Sequence, residues 1–351
     1  MGSQERVELW TFAQPLPGGS GVAARRAEDE GWTGLAFTDS QNVVGDPYVA
    51  LTVAAGVTSR LRLAVGVINP WTRHPAVAAS AIACIDVESG GRTELGVGRG
   101  YSALALLGMA PAPVAAFGEY LELVRAYLDG ESVPMKRVAD VAGRPVGAGP
   151  LPDTAPEVSS LGWLAGKFEG RPPVPVFAVA SGPRVIRTAA EQADRVTLAV
   201  GADPERLKWA VDIARAARPG VPVAAYVNVL VDEDVERATR VAAGGIASFA
   251  RFASLHGRID GPVSAPQREV LEAIPRRYAG AQADLVTPEF ATEYAILGPP
   301  SYCVERLAEV SALGIDRLHV VGPSLGVEVD GAAVRACHDR FVTEVLPHVV
   351  A

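Results

Sequence analysis

Strand-like and helix-like segments alternate almost without interruption along the 351 residues of this chain. Eight short apolar segments rich in β-branched residues are each followed by a stretch with helical periodicity. The predicted strands cover residues 7–13, 34–40, 61–68, 93–97, 174–180, 195–200, 221–230 and 317–321. Eight strand–helix units in a chain of this length predict an α/β fold, a (β/α)8 barrel with insertions.

A doubly wound open sheet is the structural alternative, and its first strand is usually followed by a glycine fingerprint loop. Here the loop after the first strand reads QPLPGG and lacks that pattern, which favours the barrel. Two stretches, residues 131–173 and 257–300, break the alternation and are interpreted as insertions that form lids, hairpins or packing arms. Neither an internal repeat nor a linker is evident, so residues 1–351 are expected to form a single domain.

Charge and composition exclude several classes of function. The net charge is −8 without a basic block, which argues against binding to nucleic acid. The sequence holds no apolar run of about 18 residues, so no membrane span is expected, and the first residues lack the apolar core of a signal peptide. Cys84, Cys303 and Cys337 are scattered and lack metal-ligand spacing. We expect them to be small buried residues of a cytoplasmic protein, and we expect no metal site.

The stretch from residue 61 to residue 102 carries the strongest functional signal. It reads strand, loop, helix, strand and glycine-rich turn, so two successive strands open into polar loops at their carboxyl ends. Parallel α/β folds keep their binding and catalytic residues at these ends. The candidate binding residues in these two loops are Gly66, Val67, Ile68 and Asn69, then Gly98, Arg99, Gly100, Tyr101 and Ser102.

Two titratable side chains lie at the same predicted face. Asp39 ends the second strand, where a carboxylate is typical of an active site, although it can also be a turn or helix-capping residue. His74 stands at the start of the helix after strand three. It has the titration range of a catalytic acid, and it can equally be a cap or a surface residue.

A second glycine loop, Ser181-Gly182-Pro183, follows the fifth predicted strand and opens a helix. Pro183 suits the first helical turn, Ser181 suits a cap, and Gly182 permits close approach of an anion. One such loop is usually only a turn. Two of them on one face of a barrel favour a phosphate-bearing cofactor.

Several segments together resemble the luciferase-like monooxygenase superfamily. They are GVINPWTRHP at residues 66–75, ASAIA at 79–83, SGGR at 89–92, GVGRG at 96–100, VFAVASGP at 176–183 and GPPSYCVERL at 298–307. Within the superfamily the chain is most similar to the methylenetetrahydromethanopterin reductase branch, whose members use the deazaflavin coenzyme F420. The resemblance runs from the first strand to the last helix.

The resemblance implies a (β/α)8 barrel and assigns roles to residues of this chain. Asp39 matches a carboxylate near the deazaflavin ring. Gly66-Val67-Ile68 matches a bulge of strand three in which a non-prolyl cis peptide backs the ring. The loops that would bind the coenzyme's side chain and phosphate correspond to Gly98, Gly100, Ser102, Ser181, Gly182 and Pro183.

The chain departs from this family pattern at acid–base positions. Related dehydrogenases carry His where this chain has Ser40, and some carry Glu where it has Tyr101. The reductase has a carboxylate on strand one, where Trp10 or Thr11 stands here, which leaves Glu8 as a doubtful candidate. The substrate of these relatives therefore cannot be assigned to this chain.

The expected function is hydride transfer between coenzyme F420 and a small organic substrate. The alternatives are a monooxygenase that uses reduced FMN and O2, and a cofactor-binding barrel without catalytic activity. Arg99, with Arg73 and Arg184, is predicted to bind the anionic tail that F420 has and FMN lacks. A small-molecule substrate and a homodimer complete the expectation.

Overall fold

The computed structural model describes residues 7–140, 154–164, 170–254, 259–274, 282–322 and 331–349. Their strands are β1 (Glu8–Ala13), β2 (Gly34–Phe37), β3 (Arg62–Ile68), β4 (Thr93–Val97), β5 (Val133–Pro134), β6 (Val158–Ser159), β7 (Val176–Ala180), β8 (Arg195–Leu198), β9 (Val223–Val231), β10 (Ile296–Gly298) and β11 (Arg317–Val321).

Helices fill the intervals between the strands. They are α1 (Ser20–Glu30), α2 (Pro47–Val57), α3 (Pro75–Ser89), α4 (Ser102–Leu106), α5 (Val114–Leu128), α6 (Met135–Asp140), α7 (Pro183–Gln192), α8 (Pro204–Ala217), α9 (Val235–Ala253), α10 (Ala265–Ala273), α11 (Pro288–Tyr294), α12 (Pro300–Ala312), α13 (Gly331–Arg340) and α14 (Leu346–Val349). A 3-10 turn spans Ala283–Leu285, and a π-helical turn, Phe341–Val345, joins α13 to α14.

Eight parallel strands close into a barrel, as the sequence predicts. The order runs β9-β11-β1-β2-β3-β4-β7-β8, and β8 pairs again with β9 to complete the ring. These are the eight segments expected from the alternation, although β2 ends at Phe37 and not at Ser40. The short strand β10 pairs with the carboxyl end of β9.

Local sequence signals explain where the helices begin and end. Asp46 accepts hydrogen bonds from the backbone N–H groups of Tyr48 and Val49, and the proline at the first position of α2 needs no partner there. Asp203 and Asp234 cap α8 and α9 in the same way. Helices α1 and α3 end in a glycine with positive φ.

The two insertions contain more structure than loops. Residues 131–173 include the antiparallel pair β5–β6 and helix α6, while residues 141–153 and 165–169 lie outside the described part. Residues 257–300 include α10, α11 and β10, while residues 255–258 and 275–281 are not described. The predicted helix over 235–256 is α9, and its last two residues also lie outside the described part.

Ion pairs close the amino-terminal end of the barrel. Arg317 contacts Glu94 and Glu8 from inside the ring, and Arg62 contacts the same two carboxylates. One layer above them, the His319 ring lies among aromatic rings, with its centroid 5.6 Å from that of Trp10. Burial lowers the pKa of His319 well below its usual value, so this imidazole is neutral.

The cysteine prediction is only partly correct. Cys303 and Cys337 are buried, but Cys84 is exposed on α3. Burial raises the pKa of Cys84, with a further contribution from Glu88, so the thiol stays protonated. Among the described residues no helix is long and apolar enough to cross a membrane, and no cluster of potential metal ligands occurs.

Candidate active site

A cavity of about 1130 Å³ opens at the carboxyl ends of the barrel strands. Most of the candidates from the sequence line it: Asp39, Gly66, Val67, Gly98, Arg99, Gly100, Tyr101, Ser102 and Ser181. Five do not, namely Ile68, Asn69, His74, Gly182 and Pro183. One part of the cavity wall is therefore formed by β3 and by the loops after β2, β4 and β7.

The bulge in β3 presents Val67 to this cavity. Between Val65 and Ile68 the register against β4 shifts, so two residues of β3, Gly66 and Val67, oppose the single residue Gly96 of β4. The Gly66–Val67 peptide bond is cis, as the family resemblance implies. A Cβ atom on Gly98 would lie 2.8 Å from Cγ2 of Val67, so glycine at position 98 gives this side chain its room.

Ile68 and Asn69 support the bulge from behind. Ile68 is fully buried in the main core cluster. Asn69 Oδ1 accepts hydrogen bonds of 3.0 and 3.1 Å from the backbone N–H groups of Trp71 and Thr72. These two residues, predicted to bind the cofactor, do not line the cavity in this structure, and they shape the loop that carries Val67.

Asp39 is the buried carboxylate of the site. Its Oδ1 accepts a 2.6 Å hydrogen bond from Nε2 of Gln41, while its buried Oδ2 has no partner among the described residues. Burial raises the pKa of Asp39 to about 6, Asp46 adds to the increase, and Arg73 opposes it. Asp39 can therefore carry or release a proton near neutral pH, and its free oxygen is available to a ligand.

His74 does not reach the cavity wall. It is the N-cap of α3, and its Nδ1 accepts a 3.2 Å hydrogen bond from the backbone N–H of Ala76. Burial lowers the pKa of His74, which favours the neutral ring that this cap needs. The catalytic prediction for His74 is thus replaced by its capping alternative.

Arg73, predicted to contact the cofactor tail, is occupied elsewhere. Its guanidinium pairs with Asp46 and lies over the Tyr48 ring, 4.4 Å from the centroid. It acts on Asp39 as a nearby positive charge. Its position therefore favours a role in tuning Asp39, not in binding an anionic tail.

The loop after β4 places Arg99 and Tyr101 at the cavity mouth. Gly100 has φ of +80°, and a Cβ atom there would lie 2.6 Å from Cβ of Asn69, so this turn requires glycine. Arg99 Nε donates a 2.6 Å hydrogen bond to the Ala112 carbonyl. Burial lowers the pKa of Arg99, partly offset by Tyr101, and Arg184 lowers it further.

The loop after β7 departs from the predicted anion site. Ser181 does not cap α7, because its Oγ donates a 2.7 Å hydrogen bond to the carbonyl of Phe252. Oδ2 of Asp260 lies 3.7 Å from the position of a Cβ atom on Gly182. A carboxylate beside this turn disfavours a phosphate at Gly182, so Ser181 is the part of the loop that serves the cavity.

The residues that replace the acid–base groups of related enzymes also lie at the cavity. Thr11, Ser40 and Tyr101 line it. Glu8, the doubtful candidate on strand one, lies at the opposite end of the barrel, where burial is outweighed by Arg317 and the pKa of Glu8 is lowered. The carboxylate of Glu8 therefore serves the barrel floor.

An aromatic wall of the same cavity was missed by sequence reasoning. It comprises Phe12 of β1, Tyr226 of β9, and Phe249 and Phe252 of α9. The ring centroids of Tyr226 lie 5.4 Å from those of Phe12 and Phe249. The signal was hidden because β9 is buried at all nine positions, so Tyr226 stands in an apolar run without alternation.

A family model described as "luciferase-like monooxygenase" matches residues 21–317. The chain belongs to this family. The 5,10-methylenetetrahydromethanopterin reductase of Methanolobus tindarius is 30% identical over 315 residues, which cover 86% of this chain and 89% of that protein.

Solved structures with the same barrel include enzymes of two kinds. The coenzyme F420-dependent tetrahydromethanopterin reductase from Methanopyrus kandleri superposes with a TM-score of 0.69 at 24% identity and covers 98% of this chain and 99% of its own. An F420-dependent secondary alcohol dehydrogenase in complex with an F420–acetone adduct also gives 0.69, at 17% identity, over 99% of this chain and 100% of its own. A monooxygenase from Streptomyces bottropensis gives 0.62 at 20% identity, over 94% of this chain and 92% of its own. The prediction of a (β/α)8-barrel enzyme of the luciferase-like type is confirmed.

Proposed function

We propose that this protein is an oxidoreductase that transfers a hydride between coenzyme F420 and a small organic substrate. The observation that carries the proposal is that two features line the same cavity. They are Val67 at the β3 bulge and Asp39, whose Oδ2 has no hydrogen-bond partner among the described residues. The named reductase relatives, which cover most of the chain, support the same cofactor class.

The residues present fit a flat deazaflavin ring. The Val67 side chain and the glycines at positions 66 and 98 offer an apolar surface without protruding side chains. Asp39 offers one buried oxygen to the polar edge of the ring, which carries both N–H and carbonyl groups. A ring held between these groups would leave its other face toward the aromatic wall.

The cavity mouth fits the anionic tail of F420. Arg99 lines the cavity, and Arg184, which does not line it, is close enough to lower the pKa of Arg99. Arg251 lines the same cavity and acts with Arg99 on Tyr101. Guanidinium groups gathered at one mouth favour a ligand that brings carboxylates or phosphate.

When bound, F420 would supply the hydride chemistry. The protein would orient the cofactor, exclude water and provide a group that takes up a proton. Val67 would contact the ring, and Phe12 and Tyr226 would help to exclude water from the cavity. Asp39 would hold a proton at acid pH and release it near neutral pH, because burial raises its pKa to about 6.

Equilibrium titrations with F420 and with FMN, each at low and high salt, test the cofactor assignment. We expect tighter binding of F420, weakened by salt because the tail is held by charge. Tighter binding of FMN would establish the monooxygenase alternative. Binding of neither cofactor would overturn the proposal and leave a barrel of another function.

We further propose a homodimer formed through α2 and α3. No charged residue occurs from Pro47 to Val57 or from Pro75 to Ile85. On the outer faces of these helices Val49 is 66% exposed and Val77 is 55% exposed. An exposed apolar surface without charge is typical of a permanent contact between subunits.

Sedimentation equilibrium of Val49→Glu tests this interface. We expect the variant to be monomeric at concentrations at which the wild type is dimeric. Val158→Glu is the control, since Val158 is also exposed, at 49%, and lies on β6, outside α2 and α3. A wild-type monomer, or a dimeric Val49→Glu variant, would exclude this surface.

Two wider assignments accompany the function. We propose that residues 1–351 act as a single domain. We also propose a reducing, cytoplasmic location, supported by the three cysteines, all of which are unpaired.

A further inference from the structure

The aromatic wall is a continuous apolar part of the cavity lining. Phe12, Tyr226, Phe249 and Phe252 form one apolar cluster with Ala199, Val179 and Val321, and all seven line the cavity. Phe249 and Phe252 meet edge to face at 5.5 Å. This surface is suited to an apolar part of a ligand.

None of the seven side chains of this wall carries a charge. The charged residues at the cavity include Asp39 after β2, Arg99 after β4, and Arg251, which lies on α9 with Phe249 and Phe252 and acts on Tyr101. A ligand with a formal charge would be desolvated on this wall without a partner, which is strongly unfavourable.

One polar atom interrupts the wall. The Tyr226 ring lies between Phe12, Phe249 and His319, which fix its orientation. No described residue forms a hydrogen bond with its hydroxyl, and Tyr226 lines the cavity. Burial raises the pKa of Tyr226 above its usual value, so the hydroxyl remains a hydrogen-bond donor.

We propose that this wall is the substrate subsite, and that it takes an uncharged, mainly apolar carbonyl compound or the corresponding alcohol, whose oxygen is bound by the Tyr226 hydroxyl. The inference rests on the proposed function, because a hydride-accepting carbon must be polarised and a carbonyl bound by a donor meets that need. Phe12 connects the two halves of the site, since its Cε1 lies 3.0 Å from the Cβ position of Gly66 at the bulge. The subsite and the proposed ring position are therefore adjacent.

Three probes of nearly equal shape test the subsite by calorimetry on the complex with oxidised F420. They are cyclohexanone, methylenecyclohexane, which lacks the oxygen, and cyclohexanecarboxylate, which adds a charge. We expect cyclohexanone to bind best, and the carboxylate to bind at least about tenfold more weakly. Equal or tighter binding of the carboxylate would overturn the proposal.

Two variants distinguish the contribution of the Tyr226 hydroxyl to binding from that of the aromatic rings. Tyr226→Phe should weaken the binding of cyclohexanone by about two- to tenfold, which is the contribution expected of one hydrogen bond. The affinity for methylenecyclohexane should stay unchanged. Phe249→Leu should weaken both probes alike. Unchanged cyclohexanone affinity in Tyr226→Phe would remove Tyr226 from the subsite, and thermal melting of both variants would confirm that they are folded.

The cofactor titration keeps the two proposals apart. If wild-type protein and both variants bind F420 equally while the probes fail to discriminate, the subsite is wrong and the proposed function stands. If F420 does not bind, but the free protein still prefers cyclohexanone and loses that preference in Tyr226→Phe, the proposed function is wrong and the subsite stands.

Discussion

Arg317 and Glu94 face each other across the inside of the barrel and form two hydrogen bonds, of 2.6 and 3.0 Å. Their side chains are only 1% and 3% exposed. They lie on β11 and β4, two strands far apart in the ring, so this contact joins opposite sides of the barrel. Glu8 accepts a further 2.6 Å hydrogen bond from Arg317.

Breaking this pair should affect stability more than catalysis. Glu94→Gln leaves the Arg317 guanidinium buried with less compensation, and we expect a loss of about 3–5 kcal/mol in the free energy of unfolding. Urea denaturation measures it. Asp212→Asn, which breaks the exposed pair of Asp212 with Lys208, should cost less than about 1 kcal/mol. Equal effects of the two variants would mean that the buried pair is not a special element of the floor.

Asp39 should give the free protein a distinctive pH dependence. Because its folded pKa, about 6, exceeds the ordinary value of 3.8, the folded state retains a proton that the unfolded state releases. Stability is therefore highest below pH 4 for this group and falls as pH rises toward 6. Relative to Asp39→Asn, wild-type protein should lose roughly 3 kcal/mol between about pH 4 and pH 7.

Denaturation of both proteins at several pH values measures this difference without any cofactor. A constant difference across the range would show that the Asp39 carboxyl is not desolvated. In an assay of F420 reduction or oxidation, Asp39→Asn should also lower turnover, because the amide cannot take up and release a proton as the carboxyl group does.

Arg99 should contribute to binding of the coenzyme tail. Arg99→Gln should lower the affinity for F420 by about tenfold at low salt and reduce the salt dependence of binding. A deazaflavin analogue without the anionic tail should bind both proteins equally. Arg268→Gln, at an exposed arginine of α10, is the control and should behave as wild type. Equal losses for the coenzyme and the analogue would place Arg99 at the ring.

Gly98 should be intolerant of even a methyl group. The Cβ atom of Gly98→Ala would lie 2.8 Å from Cγ2 of Val67 and would force that side chain toward the proposed ring position. We expect at least tenfold weaker F420 binding with a stability cost of about 1–3 kcal/mol. Gly162→Ala has open space around it and should change neither quantity. Native affinity in Gly98→Ala would argue that Val67 does not contact the ring.

The sequence predicted the barrel well because each of the eight strands is an apolar run bounded by polar or glycine-rich turns. It did not predict β5, β6 or β10, which are only two or three residues long and have no periodicity of their own. Helices α10 and α11 were read as irregular because prolines surround them, although Pro266 and Pro288 lie in their first turns.

The structure brings only part of the candidate site together at the cavity. Asp39 and Arg99 line it, because a residue that follows the end of a barrel strand has its position fixed by the barrel. His74 caps α3 and Arg73 pairs with Asp46, because a cap and an ion pair depend on partners that the order of residues along the chain does not reveal. The aromatic wall depends on contacts between β1, β9 and α9, which only the folded chain brings together.

The closed amino-terminal end of the barrel has a consequence for how ligands enter. Arg317 and its two carboxylate partners lie across the axis at that end, so we expect ligands to reach the cavity from the carboxyl ends of the strands, where Arg99 lies. Where two ligands enter from the same side and one lies deeper than the other, the deeper one binds first and leaves last. Such an arrangement is suited to retaining one ligand through many cycles while the other is exchanged.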